Sequence, residues 1–180
     1  MSIARKPRIW YPGAKYHVVN RGNHSDDIFW EEEDYLEFLK ILEITGEQHP
    51  FSLLSFCLMS NHIHLQLETK EEPIWEIMKA IKMDYTRYYN KKYSLSGHLF
   101  QGRYGSKIIE DVYYLLESNR YIHQNPVRAQ MVSRPEEYPW SSYGIYVGMR
   151  EWNFLQTQEI LDCFKNGSRN LYREFIEKGV

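Results

Sequence analysis

FSLLSFCLMSNHIHLQLE, residues 51–68, decides the architecture. Its first half, Phe51 to Met59, is apolar and aromatic, the composition of a buried strand. Ser60-Asn61 supplies turn chemistry. The second half, His62 to Glu68, alternates strictly. Ile63, Leu65 and Leu67 fall on one face, and His62, His64 and Gln66 on the other. One face lies on a core and both imidazoles point away from it.

Working outward, Lys15 to Arg21 reads as a strand ending at Gly22. Asp34 to His49 repeats apolar residues at Tyr35, Phe38, Leu39 and Leu42, the pattern of an amphipathic helix, and Pro50 ends it. Pro73 opens a second helix with the stripe Ile74, Ile77, Met78, Ile81 and Tyr85. Residues 90–106 read as a loop and Lys107 to Ile109 as a short strand. Asp111 is the N-cap expected for a third helix, which runs to Asn125 and is stopped by Pro126. The order strand, helix, strand, strand, helix, strand, helix predicts an α+β fold. It is a ferredoxin-like sandwich with an antiparallel sheet and one extra helix. Residues 1–128 form the expected domain, and 129–180 a C-terminal extension packed on it.

The chain of 180 residues is long enough to bury a core without staples. Cys57 and Cys163 match no metal-binding spacing, and Cys57 reads as core. No apolar run is long enough to cross a bilayer and no signal peptide is evident, so the expected location is cytoplasmic, at the nucleoid. The net charge of −2 conceals strong polarisation. Residues 1–25 hold five basic residues (Arg5, Lys6, Arg8, Lys15, Arg21) and no acids. Residues 26–78 hold 13 acidic and 2 basic residues, and 79–128 hold 4 acidic and 9 basic. One basic face on an acidic molecule is compatible with phosphate binding.

Two features carry chemistry. His62 and His64, at i and i+2 of a strand, project together with a spacing that suits chelation of one divalent ion. Tyr121 and Asn125, four apart on the third helix, share a face with Tyr114 and Ser118. If that helix covers the open sheet face, Tyr121 meets the histidines and the Asn125 amide oxygen completes the coordination. Spacing alone fits equally a polar strand face and a helix with a buried tyrosine. A tyrosine phenol, with a reference pKa near ~10, is a poor nucleophile at neutral pH, and a metal that polarises a phosphate makes its attack feasible. Two imidazoles and an amide oxygen with open positions suit Mg²⁺ or Mn²⁺ better than structural zinc.

Met59-Ser60-Asn61-His62-Ile63-His64-Leu65 resembles the metal-binding motif of single-tyrosine HUH transposases. Tyr121-Ile122-His123-Gln124-Asn125-Pro126-Val127-Arg128-Ala129 resembles the nucleophile helix of the branch associated with repetitive extragenic palindromes. Residues 16–23, 97–104 and 138–143 are similar to further segments of that branch. The resemblance implies cleavage of single-stranded DNA, typically at hairpins, through a 5′-phosphotyrosine intermediate. By position it implies Tyr121 as nucleophile, His62 and His64 as metal ligands and Asn125 at the third-ligand position, where insertion-sequence relatives often carry Gln. Ser60 departs from the Pro often found in the turn.

Lys15, Arg21, Arg103, Lys107 and Arg128 are the candidate DNA contacts, with Tyr104 and Tyr85 as possible stacking partners. The acidic first helix is expected to face away from DNA. His17 has the parity to join the site but reads as a hydrogen-bonded structural residue, and His123 receives no role. A homodimer is compatible with the sequence. The competing functions are a hairpin-binding module that does not cut and a metal-dependent hydrolase that uses water.

Overall fold

The computed structural model describes residues 9–178. Arg5, Lys6 and Arg8 of the basic amino-terminal segment lie outside them. The four strands are β1 (Lys15–Arg21), β2 (Phe51–Met59), β3 (His62–Thr69) and β4 (Gly105–Ile109). They form one antiparallel sheet in the order β2-β3-β1-β4. Helices α1 (Glu32–Gln48) and α2 (Ile74–Tyr93) cover one face. Phe38 and Leu42 of α1 and Ile77, Ile81 and Tyr85 of α2 join Tyr16, Val18, Ile63, Leu65 and Leu67 in a single core. Helix α3 (Val112–Arg128) crosses the other face, as the ferredoxin-like order with an added helix requires.

Alternation makes this sheet two-sided. Ile63, Leu65 and Leu67 meet α1 and α2, whereas Gln66 is equally buried beneath α3. Its amide donates to the Leu115 carbonyl and Ser118 Oγ (2.9 and 2.8 Å), and its oxygen accepts from Ser55 Oγ. A buried amide with this many partners costs little to desolvate, and it fixes how α3 sits on the strands. Gly22 ends β1 because the chain folds tightly back there. A Cβ at this position would lie 2.1 Å from the Asp26 carbonyl oxygen.

Several boundaries differ from the sequence expectation, among them the starts of α1 at Glu32 and of β4 at Gly105, and two differences have a clear physical cause. Helix α2 runs through 90–93 rather than giving way to loop at 90. The rings of Tyr89 and Tyr93 pack on Trp30, and Tyr93 and Lys92 bond to the buried Asp34 carboxylate. Pro126 does not stop α3, which continues to Arg128 with Pro126 buried inside it. Proline removes one hydrogen bond. The flanking residues hold the helix in compensation: Gln124 donates to the Ile176 carbonyl, and Ala129 N–H reaches the Asn125 carbonyl at 2.9 Å. Tertiary contacts here outweigh local preference.

Residues 129–178 include the short helices α4 (Tyr143–Tyr146) and α5 (Gln158–Leu161) and the longer α6 (Arg169–Glu177). The segment lies along the outer edge of β2. Leu58 N–H donates to the Trp140 carbonyl, Ser142 N–H to that of Phe56 and Gln156 N–H to that of Leu53. The hydroxyls of Tyr138 and Tyr146 donate to the carbonyls of Leu58 and Leu54 (2.7 and 2.6 Å). An edge strand that would present unpaired backbone is thereby covered.

His123 ties this segment to α3. It is fully buried between Tyr172 and Ser142, at 2.6 Å from each hydroxyl. Tyr172 in turn donates to Asn119 Oδ1 (2.7 Å). Burial pushes the imidazole pKa down from 6.5 to about 3, so the ring is neutral. The unfolded chain's imidazole takes a proton near 6.5, so this contribution is complete above that pH and is lost as pH falls below it. The slope is about 1.4 kcal/mol per pH unit. The urea midpoint of the wild type is expected to fall between pH 7 and pH 5, with a shallower fall in His123→Gln. Equal slopes in the two proteins would contradict a neutral buried ring.

Candidate active site

The site is assembled from β1, β3 and α3. The register sets Val19 against His64 and Arg21 against His62, and it brings His17, two residues back along β1, diagonally onto the same face. The His62 and His64 rings are 5.0 Å apart between centroids, and those of His64 and His17 are 5.4 Å apart. Tyr121 descends from α3 onto this pair, with its ring 5.6 Å from His64 and 5.9 Å from His17. It is 40% exposed, open enough for a polymeric substrate to reach. Tyr121 and both histidines of the HUH-like motif are thus brought together within one chain.

All three imidazoles are held neutral. Burial lowers His64 to about 2, with smaller contributions from His17, His62 and Arg21. Burial and then the Arg21 charge lower His62 to about 4. Burial and then Lys107 bring His17 to about 4. Neutral imidazole is the form that donates a lone pair to a cation. His62 Nδ1 lies 2.6 Å from Asn61 Oδ1. An amide oxygen only accepts, so Nδ1 carries the hydrogen and Nε2 keeps its lone pair. His64 Nε2 is buried and has no hydrogen-bond partner. An orphaned imidazole nitrogen beside a second one with a free lone pair fits a divalent cation. Among the described residues no cluster of three or more His, Cys, Asp or Glu side chains could hold a metal. Further ligands would have to be neutral oxygens or the substrate.

Asn125 stands one turn beyond Tyr121 and its Nδ2 donates to the Tyr121 carbonyl at 2.8 Å. Arg128, a further turn along, lies over the Tyr121 ring at 5.2 Å, a cation–π contact at the nucleophile candidate itself. Lys107, on β4 opposite His17, lies over the Tyr114 ring at 3.9 Å. His17, Tyr114, Ser118, Tyr121 and Arg128 line a cleft of 390 Å³. Arg21 is exposed at the end of β1, and Arg103 is exposed just before β4. Lys15 is at the far end of β1, held between Glu68 (3.0 Å) and Glu159 (3.1 Å). Tyr85 and Tyr104 do not serve as stacking surfaces. Both are buried: helix α2 turns Tyr85 into the core, where its hydroxyl donates to the Ile28 carbonyl, and Tyr104, just before β4, packs into the same core.

Two participants go beyond the sequence reading. Asn61 reads as turn chemistry but also grips His62. His17 is hydrogen-bonded, as expected, yet its partner is His64 (His17 Nε2 to His64 Nδ1, 3.1 Å). The parity of β1 carried the signal for His17. The strand register, which decides which residue of β3 it meets, was missing.

The model of the IS200-like transposase family matches residues 11–125, a span that holds every strand and most of α3. A Haemophilus influenzae protein that carries the name of a REP-associated tyrosine transposase is 32% identical over 123 residues, covering 61% of this chain and 69% of that protein. A solved structure described as a REP-associated tyrosine transposase bound to a REP hairpin shares the fold. Its TM-score is 0.69 at 15% identity, covering 88% of this chain and 93% of that one. No helix among the described residues is long and apolar enough to cross a membrane. With the family match extending from before β1 through Tyr121 to Asn125, the chain belongs to the IS200-like transposase family and is a DNA transposase.

Proposed function

We propose that this transposase cuts and rejoins single-stranded DNA at a hairpin through a covalent bond to Tyr121, with Mg²⁺ or Mn²⁺ held by His62, His64 and the Asn125 amide oxygen. The observation that carries the reading is the orphaned His64 Nε2, buried next to His62 and beneath the Tyr121 ring. When bound, the ion polarises the scissile phosphate and offsets the charge that develops on it. The chain's own groups do the rest. Tyr121 Oη attacks phosphorus and loses its proton. The bond from phosphorus to the 3′ oxygen breaks and that oxygen leaves as a 3′-hydroxyl, taking up a proton. The 5′ phosphate stays on tyrosine as a diester, so attack by a 3′-hydroxyl reverses the step and joins strands.

Arg128 fits a role beside the tyrosine. Its guanidinium faces the ring and is placed to attract the phosphate toward the nucleophile. Arg21 and Lys107, which pair with His62 and His17 in the sheet, extend positive charge along the histidine face as non-specific backbone contacts, and the exposed Arg103 before β4 is a further candidate. Lys15, neutralised by two carboxylates, contributes least. The acidic α1 lies across the sheet from the histidines, where it does not repel DNA. Hairpin DNA is the substrate chosen because the structurally similar transposase is described with a REP hairpin bound.

The test is incubation with a hairpin oligonucleotide carrying single-stranded flanks, with Mn²⁺ and without it. The expected result is a metal-dependent protein–DNA adduct, with the nucleotide mapped to Tyr121 by mass spectrometry. Binding with no adduct would mean a hairpin-binding module. Cleavage with both products free of protein would mean hydrolysis by water.

A further inference from the structure

His62 and His64 are held in the same way. Each has its Nδ1 against a neighbouring side chain, Asn61 Oδ1 at 2.6 Å and His17 Nε2 at 3.1 Å. For His62 the partner settles where the ring hydrogen sits, since an amide oxygen cannot donate. For His64 the partner is another imidazole, and two arrangements satisfy the distance. If His17 Nε2–H donated, His64 would carry its own hydrogen on Nε2. That N–H would be buried without an acceptor, because Nε2 has no partner. It would also block the lone pair. If His64 Nδ1–H donates, the ring leaves a lone pair at Nε2, directed as a ligand needs to be.

We infer that His17 is a positioning residue: its Nε2 accepts the His64 Nδ1 hydrogen and so fixes the tautomer that turns the His64 Nε2 lone pair toward the metal site. The inference rests on the proposed metal site but concerns a hydrogen in the metal-free protein, so each is tested separately. His17 is suited to the task. It sits on β1, the strand paired to β3, so backbone hydrogen bonds set its distance from His64. Its ring also packs against Tyr121, so the residue that orients the ligand also braces the nucleophile. It is not itself placed as a third ligand, since its Nε2 is engaged by His64.

The experiment uses the whole chain, labelled with ¹⁵N-histidine and free of metal, in wild type, His17→Gln and His17→Phe. The glutamine offers an amide oxygen close to where Nε2 stood; the phenylalanine keeps a ring but no acceptor. Long-range ¹H–¹⁵N correlations are expected to show the His64 hydrogen on Nδ1 in wild type and His17→Gln, and redistribution toward Nε2 in His17→Phe. Titration with Mn²⁺ is expected to give an affinity about 10–100-fold weaker for His17→Phe, with His17→Gln recovering most of the loss. A wild-type His64 that carries its hydrogen on Nε2 overturns the inference, as does wild-type Mn²⁺ affinity in His17→Phe or equal weakness in both variants. A wild type that binds no Mn²⁺ but shows the Nδ1 tautomer overturns the metal site and leaves the His17 assignment standing.

Discussion

Tyr121→Phe is expected to abolish the protein-linked DNA product and to lower cleavage by at least ~10³-fold, since the variant removes the oxygen proposed to form the covalent bond. The ring stays, and with it the contacts to His17, His64 and Arg128. Tyr121 is half-exposed, so stability should change by no more than ~0.5 kcal/mol. Metal affinity and hairpin binding should also persist. That combination separates a lost nucleophile from a lost fold. Gel detection of adduct and a thermal melt on the same preparation suffice, and adduct formation by the variant would remove Tyr121 from the mechanism.

His62→Ala is expected to have the second largest effect. It removes one of the two nitrogens proposed to bind the ion, and at fixed Mn²⁺ cleavage should drop by about 10²–10³-fold, corresponding to several kcal/mol of transition-state stabilisation. His62 is the better choice than His64 because it is only half-buried. Truncating the buried His64 would also open a cavity beneath α3 and mix stability with chemistry. The comparison is a single-turnover rate at several Mn²⁺ concentrations together with a direct Mn²⁺ titration. Unchanged cleavage in His62→Ala, or full activity of the wild type in excess chelator, would exclude metal-assisted attack.

Much of this was legible in the sequence because the two halves of residues 51–68 have different periods. Strict alternation in β3 decided which face held His62 and His64, and the strand bounds of β1 and β2 followed from apolar runs punctuated by Gly22, Pro50 and Ser60. The helix spacing put Tyr121 and Asn125 on one face. What periodicity could not supply was juxtaposition. Nothing in the β1 pattern says that His17 meets His64 rather than solvent, and nothing in the α3 pattern says that its tyrosine lands on β3. Pro126 misled for the same reason. Its local cost is real, but Gln124 and His123 are anchored by residues about fifty positions later, at Ile176 and Tyr172. The carboxylates that occupy Lys15 were equally invisible, since Glu159 is brought near only by the folded C-terminal segment.

The covered edge of β2 has a consequence for how the molecule is made. Strands β2 and β3 leave the ribosome early and close on each other through a two-residue turn. The partners for the outer rim of β2, at 138–156, follow some 80–103 residues later. At roughly 5–20 residues per second of synthesis, that rim stays bare for on the order of ten seconds. A nascent chain in that window carries a sticky strand, and one released after residue 128 would carry it permanently. The segment after α3 therefore acts as a built-in escort for its own sheet. The span that carries the chemistry is shorter than the span that has to be translated before it is safe from aggregation.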